Sequence, residues 1–171
     1  MKRKALAITL AAVMAMGTCA VTASAADGDK YTIGICQLVQ HDALDAATQG
    51  FKDEVIKELG EDAVTFDEQN AQGDSNTCST IVNSFVSNNV DLILANATPA
   101  LQAAAAGTSD IPILGTSVTE YGVALGLDDF DGTVGGNISG TADLAPLDEQ
   151  AAMLLELFPD AKNVGLLYCS A

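Results

Sequence analysis

From Tyr31 onward, short apolar segments alternate with stretches of helical period, and this alternation restricts the chain to an α/β architecture. Tyr31-Thr-Ile-Gly-Ile-Cys36 reads as a strand, and Leu44, Ala47, Phe51, Val55 and Leu59 follow at helical spacing. Ala63-Val-Thr-Phe66 reads as a second strand, after which a polar loop from Glu68 to Asp74 leads to Cys78, Ile81, Val82 and Phe85 on one helical face. Val90 to Ala95 is a third strand, Pro99 to Ala106 a third helix, and Ile111-Pro-Ile-Leu-Gly115 a fourth strand beginning near Pro112. Strands separated by helices pair in parallel, through right-handed crossovers that place helices on both faces. The predicted fold is therefore α/β, three layers (αβα) around a parallel sheet.

Past the fourth strand the pattern weakens. Gly122-Val-Ala-Leu-Gly-Leu127 reads as one more strand, and Asp128 to Asp131 with the Gly135-Gly136 pair as irregular chain. The pattern then resumes: Asn137-Ile-Ser-Gly-Thr141 is short and extended, Pro146 opens a helix carrying Leu147, Ala151, Leu154, Leu155 and Phe158, and Asn163 to Tyr168 is apolar again. We expect residues 26–136 to form one α/β lobe and residues 137–171 to form a hinge and the start of a second. A parallel strand near Tyr168 needs neighbours to pair with, so the chain is expected to belong to a longer, two-lobed protein.

Residues 1–25 have the make-up of a secretory signal peptide. Lys2, Arg3 and Lys4 precede an apolar run from Ala5 to Met16, and Ala23-Ser24-Ala25 offers small residues for cleavage. The run falls short of the ~20 apolar residues that span a bilayer, so export rather than membrane insertion is expected. Cys19 is a candidate lipid-bearing cysteine, but Thr18 before it fits lipid attachment less well than Ala23-Ser24-Ala25 fits ordinary cleavage. Losing this leader takes three cations and no acid from a formal charge of −16, leaving −19. So acidic a chain excludes nucleic acid as a partner and reads as a solvated, exported surface. Cys36, Cys78 and Cys169 are widely separated and form no C-x-x-C pair, so they read as small buried hydrophobes. His41 is the sole histidine, which rules out a multi-histidine metal centre.

Enzymatic signatures are missing: there is no G-x-S-x-G elbow, no G-x-x-x-x-G-K-[ST] loop, no H-E-x-x-H and no G-x-G-x-x-G after the first strand. Small polar residues instead gather where strands end. Gln37 follows the first strand, Asn96-Ala97-Thr98 the third, and Gly115-Thr-Ser117-Val-Thr119 the fourth. In a parallel sheet all of these meet at the carboxyl edge, where open α/β folds bind ligands. Thr98 before Pro99 reads as a capped helix start, whose N–H groups and dipole favour an anion. Each residue taken alone is also an ordinary turn or cap residue.

In these residues the chain resembles the extracytoplasmic substrate-binding proteins of ABC transporters, in the branch associated with tryptophan and tyrosine uptake. The resemblance runs from Tyr31 to Tyr168. It is carried by Ile33-Gly34-Ile35 with Gln37, His41 with Ala43-Leu44-Asp45 and Gly50-Phe51, Asn70-Ala-Gln-Gly-Asp74, Ala97-Thr-Pro-Ala100, and Leu157-Phe-Pro-Asp-Ala-Lys162. Asp42 stands where the family usually has proline after the histidine, and Val134 where it has proline before the glycine pair.

The resemblance implies a bilobal, type I periplasmic-binding-protein-like fold. Such a fold closes on a small ligand without a cofactor and delivers it to a membrane permease with its ATPase. An amino-acid carboxylate would be held by N–H groups beyond Thr98 and by the hydroxyls of Ser117 or Thr119. Its ammonium would face Asp42 or Asp45, either of which also serves as a helix cap. His41 would stack on or hydrogen-bond the ligand. Two other readings stay open: an extracytoplasmic sensor domain of a receptor, and an exported α/β enzyme, for which no motif speaks.

Overall fold

The computed structural model describes residues 30–167. The predicted leader, Cys19 and Cys169 lie outside the described residues. Five strands form a single sheet: β1 (Tyr31–Gln37), β2 (Val64–Asn70), β3 (Leu92–Asn96), β4 (Ile113–Val118) and β5 (Ile138–Ala142). All pairs are parallel, in the spatial order β2-β1-β3-β4-β5. The helices are α1 (Asp42–Leu59), α2 (Ser75–Ser87), α3 (Thr98–Gly107), α4 (Tyr121–Leu125) and α5 (Leu147–Leu157), with a short 3-10 turn at Glu61–Ala63.

The strand order explains the layering. From β1 the chain moves outward to β2, then returns past β1 to β3, so right-handed crossovers send α1 to one face of the sheet and α2 to the other. The side chains follow this division. Ile33, Ile35 and Leu94 meet Phe51 and Val55 of α1 on one face. Cys36, Ile93 and Ala95 meet Cys78, Val82 and Phe85 of α2 and Leu101 of α3 on the other. Phe85 is fully buried, and its ring lies so close to β1 that a Cβ on Gly34 would meet it at 2.7 Å. Gly34 is thus required by close approach, not by a turn.

Several expected boundaries shift, each for a local reason. β2 continues through Glu68-Gln69-Asn70, which composition had assigned to a loop. It is an edge strand in which no side chain is fully buried, so polar residues are tolerated. Gly122 to Leu127 is not a strand but contains most of α4. The Glu120 carboxylate accepts from the N–H groups of Gly122 (2.8 Å) and Val123 (2.5 Å), which starts a helix that Gly126 ends in the left-handed region. The short Gly-Val-Ala-Leu-Gly-Leu run has no period long enough to separate the two structures.

β5 lies in the segment assigned from sequence to a hinge and second lobe, yet it pairs in parallel with β4 as the fifth strand of this sheet. Beyond it, α5 has no buried residue, and Leu147 and Leu155 are more than half exposed. The apolar stretch expected as a strand from Asn163 forms none over residues 163–167. A strand without a neighbour cannot satisfy its backbone groups. No helix among the described residues is long and apolar enough to cross a membrane.

Candidate functional site at the carboxyl edge

The chain reverses its direction of travel across the sheet between β1 and β3, and this is the place where open α/β sheets form a ligand crevice. Gln37 ends β1 and Asn96 ends β3, side by side in register. Backbone hydrogen bonds tie the loops of four strands together here. Leu38 N–H donates to the Asn96 carbonyl (3.1 Å), Ala71 N–H to Gln37 (2.9 Å), Gly73 N–H to Leu38 (2.7 Å) and Ala97 N–H to Thr116 (2.9 Å). These bonds bring Gln37, Asn96 and Ala97 together with Thr116 at one edge of the sheet.

The predicted site residues form two layers. Gln37 and Asn96 are buried, at 5% and 0% exposure, together with Thr48 of α1 at 3%. The Thr48 hydroxyl donates to Gln37 Oε1 (2.7 Å), and Asn96 Nδ2 donates to Thr48 Oγ1 (2.9 Å) and to the Leu44 carbonyl (2.8 Å). Gln37 Nε2 donates to Asp45 Oδ1 (2.5 Å) and to the Val39 carbonyl (3.0 Å). Asn96 Oδ1 is the buried side-chain acceptor without a donor among the described residues. Gln37 and Asn96 thus support the edge from beneath.

The outer layer is His41, Asp42, Thr98, Ser117 and Thr119, exposed or half-buried. His41 is the N-cap of α1: its Nδ1 accepts from Ala43 N–H at 3.2 Å. A cap had been expected from Asp42 or Asp45, but both lie inside the first turn, where their charge favours the helix dipole. With Nδ1 accepting, the neutral His41 ring carries its proton on Nε2.

The expected Thr98 cap is also absent. Ala97 is the N-cap of α3, with φ 91° and ψ 158°, and no side chain caps the helix. Thr98 and Pro99 occupy the first two helical positions, so the N–H groups of Thr98 and Ala100 are those that the helix leaves unbonded. On the neighbouring strand Ser117 has φ 55°. Two adjacent strand ends thus hold non-glycine residues at positive φ, each costing roughly 1–3 kcal/mol that the surroundings must offset. Such strain is common where a backbone is shaped for a ligand.

Beside this edge a groove of about 550 Å³ is lined by Gln37, Gln40, Asp45, Glu68, Gln69 and Asn70. Its lining holds two carboxylates, four amides and no cation. Glu68 is partly neutralised by Lys52 at 2.7 Å. Among the described residues no cluster of His, Cys, Asp or Glu has the make-up of a metal site. Cys36 and Cys78 are fully buried, and burial pushes both thiols above the ordinary cysteine range.

Sequence reasoning missed Thr48. Leu44, Thr48, Phe51 and Val55 share one inward-facing stripe of α1 at helical spacing, in which Thr48 alone is fully buried, and a hydroxyl within such a stripe was the available signal.

A five-stranded parallel sheet with helices on both faces and a switch point between β1 and β3 defines the class: an open α/β lobe. Comparison with known proteins supplies the family. Residues 32–171 match the family described as ABC transporter substrate binding protein, and the chain belongs to it. It is 43% identical over 142 residues to the tyrosine-binding protein of Clostridioides difficile (strain R20291), covering 80% of this chain and 40% of that protein. A ligand-free, open structure of a substrate-binding protein with adhesive properties from Clostridium difficile aligns with a TM-score of 0.67 at 43% identity, over 77% of this chain and 45% of that one. A Streptococcus pneumoniae domain solved in complex with L-Trp aligns with a TM-score of 0.69 at 32% identity, again over 77% and 45%. The chain therefore spans less than half the length of these relatives.

Proposed function

We propose that this chain supplies one jaw of the solute-binding component of an ABC importer, and that its ligand is an aromatic amino acid. The observation that carries the reading is the meeting of Gln37, the His41 turn, the Asn70–Asp74 loop and the Ala97–Pro99 helix start at one switch-point edge. Those stretches also carry the family likeness, and the relatives named above are a tyrosine-binding protein and a domain holding L-Trp.

The chemistry suits a zwitterion. The carboxylate accepts from the N–H groups of Thr98 and Ala100 and from the Ser117 or Thr119 hydroxyls. Each such bond to a charged acceptor contributes roughly 1.5–3 kcal/mol, so two or three hold the group without a basic residue. The ammonium turns toward Asp42 or toward Asp45 in the adjoining groove. His41 Nε2–H supplies a further donor at the rim. No step of this involves turnover, so the protein acts as a binder rather than an enzyme.

Binding between two lobes by hinge closure requires partners from both, and the other lobe, the permease and the ATPase complete the system. Export through the leader at residues 1–25, with Cys19 as the alternative lipid attachment point, places the protein outside the cytoplasm. In this arrangement β5 belongs to the first lobe, and the passage to the second begins after Ala142.

Calorimetric titration of the full-length protein tests the reading. L-tyrosine or L-tryptophan should bind saturably at one site, and Thr98→Pro, which removes an N–H from the helix start, should weaken it. Absence of heat with either amino acid sinks the proposal.

A further inference from the structure

We propose that Thr48 is a positioning residue of the binding edge: its hydroxyl bridges the two buried amides of a directed hydrogen-bonded chain, and through Gln37 it steadies the turn that carries His41. The argument follows from which groups can donate. The Asp45 carboxylate and the Val39 carbonyl only accept, so Gln37 must turn its Nε2 toward both, at 2.5 and 3.0 Å. Gln37 Oε1 then faces Thr48 Oγ1 at 2.7 Å and needs a donor there. The one hydroxyl proton of Thr48 is committed to that bond, so its oxygen offers only lone pairs to its other neighbour. Asn96 answers with Nδ2 at 2.9 Å, a direction that the Leu44 carbonyl at 2.8 Å also demands.

Every donor in the chain therefore points the same way, from Asn96 through Thr48 and Gln37 to Asp45. The unpartnered Oδ1 of Asn96 is the end that this polarity leaves over. Turning the Asn96 amide to satisfy it would set Oδ1 against the Leu44 carbonyl. Turning Gln37 would set Oε1 against the Asp45 carboxylate. Thr48 is the only hydroxyl in the chain and the only member able to join two amides that both need their orientation kept.

The consequence is carried to the surface by Gln37. Its Nε2 holds the Val39 carbonyl, while Asp45 N–H donates to the His41 carbonyl (2.8 Å) and Leu38 N–H to Asn96 (3.1 Å). The two ends of the turn from Leu38 to His41 are thus fastened by backbone bonds, and its middle is held at the Val39 carbonyl by the Gln37 side chain that Thr48 supports. Without the hydroxyl, the nearest donor to Gln37 Oε1 is Asn96 Nδ2 at 3.5 Å, a marginal contact for an amide donor. Gln37 is then held through Nε2 alone, so its side chain can shift and loosen its bonds to the Val39 carbonyl and to Asp45 together.

Because His41 is the sole histidine, its imidazole Cε1–H gives one unambiguous NMR cross-peak in the ligand-free protein. Thr48→Val keeps the shape and removes the hydroxyl, and it should shift or broaden that peak; Thr48→Ser should leave it in place. Asp45→Asn, at the half-buried end of the hydrogen-bonded chain, gives Gln37 Oε1 a donor to turn toward and should also move the peak, which keeps the test decisive if Thr48→Val does not fold. A folded Thr48→Val or Asp45→Asn chain with an unmoved His41 peak overturns the proposal, as does a Thr48→Ser shift equal to that of Thr48→Val.

A second readout rests on the solute-binding reading above. In the full-length protein, Thr48→Val should weaken L-tyrosine binding about tenfold and Thr48→Ser less than about threefold. If the unaltered protein ignores L-tyrosine, the solute reading fails, while the His41 peak still decides the role of Thr48.

Discussion

Replacing Asn96 in two ways separates a hydrogen-bonding role from simple space filling. Asn96→Ala removes two good donations, at 2.8 and 2.9 Å, worth about 1 kcal/mol each. It also leaves a small void, costing about 1 kcal/mol. Against this, the truncation removes the unpartnered Oδ1 and so relieves about 1 kcal/mol of desolvation, giving a net loss of about 2 kcal/mol. Asn96→Asp keeps the volume but sets an acceptor against the Leu44 carbonyl in a site with 0% exposure. It should cost more than about 3 kcal/mol at neutral pH, as an uncompensated buried charge does. Burial disfavours the charged form and raises the folded-state pKa of the introduced carboxyl above its unfolded value. Protonation therefore favours the folded variant, and its deficit should shrink as pH falls through the folded pKa. Urea unfolding at pH 7 and pH 5, compared at constant m, measures all of this. An Asn96→Asp loss no larger than that of Asn96→Ala, or one that grows on acidification, refutes the reasoning.

Two further outcomes test the fold beneath the edge. Gly34→Ala brings a methyl group within 2.7 Å of the Phe85 ring and should cost roughly 1–3 kcal/mol in the same unfolding assay, and the loss should be smaller in a Phe85→Leu background; equal losses in both would remove Phe85 as the cause. Cys36 and Cys78, buried with raised thiol pKa values, should resist N-ethylmaleimide in the native protein and react on unfolding, as read by peptide mass spectrometry; rapid native labelling of either would contradict their placement.

Much of the architecture was legible because it is periodic. The stripe Cys78, Ile81, Val82, Phe85 specified α2 and its buried face, and the run Val90 to Ala95 specified a buried strand, which the structure places two residues later at its start, at Leu92–Asn96. Strand ends could also be read as one edge, because a parallel sheet sends every carboxyl end the same way. What escaped were features decided by contacts distant in sequence. Glu120 caps α4 through its carboxylate, so the Gly122–Leu127 run becomes helical although its composition suits a strand. β5 joins the sheet because β4 offers it a free edge, which no property of Asn137–Thr141 announces. Thr98 gives way to Ala97 as the N-cap because the backbone at Ala97 adopts φ 91°, a conformation that sequence gives little reason to expect of alanine.

The division of the edge into two layers was equally hidden. Gln37 and Asn96 look like ligand contacts when only their place after a strand is known. Their bonds to Thr48, Leu44 and Asp45 turn them inward, and the direct contacts of the proposed cleft would fall to His41, Asp42, Thr98, Ser117 and Thr119.

The central claim, that the β1/β3 switch point is one jaw of an amino-acid cleft, is tested most directly by hydrogen exchange on the full-length protein with and without saturating L-tyrosine. The account predicts new protection concentrated in residues 38–48 and 97–101, with little change in α2 and β2. Ligand-induced protection that leaves both of those segments unaltered would contradict it.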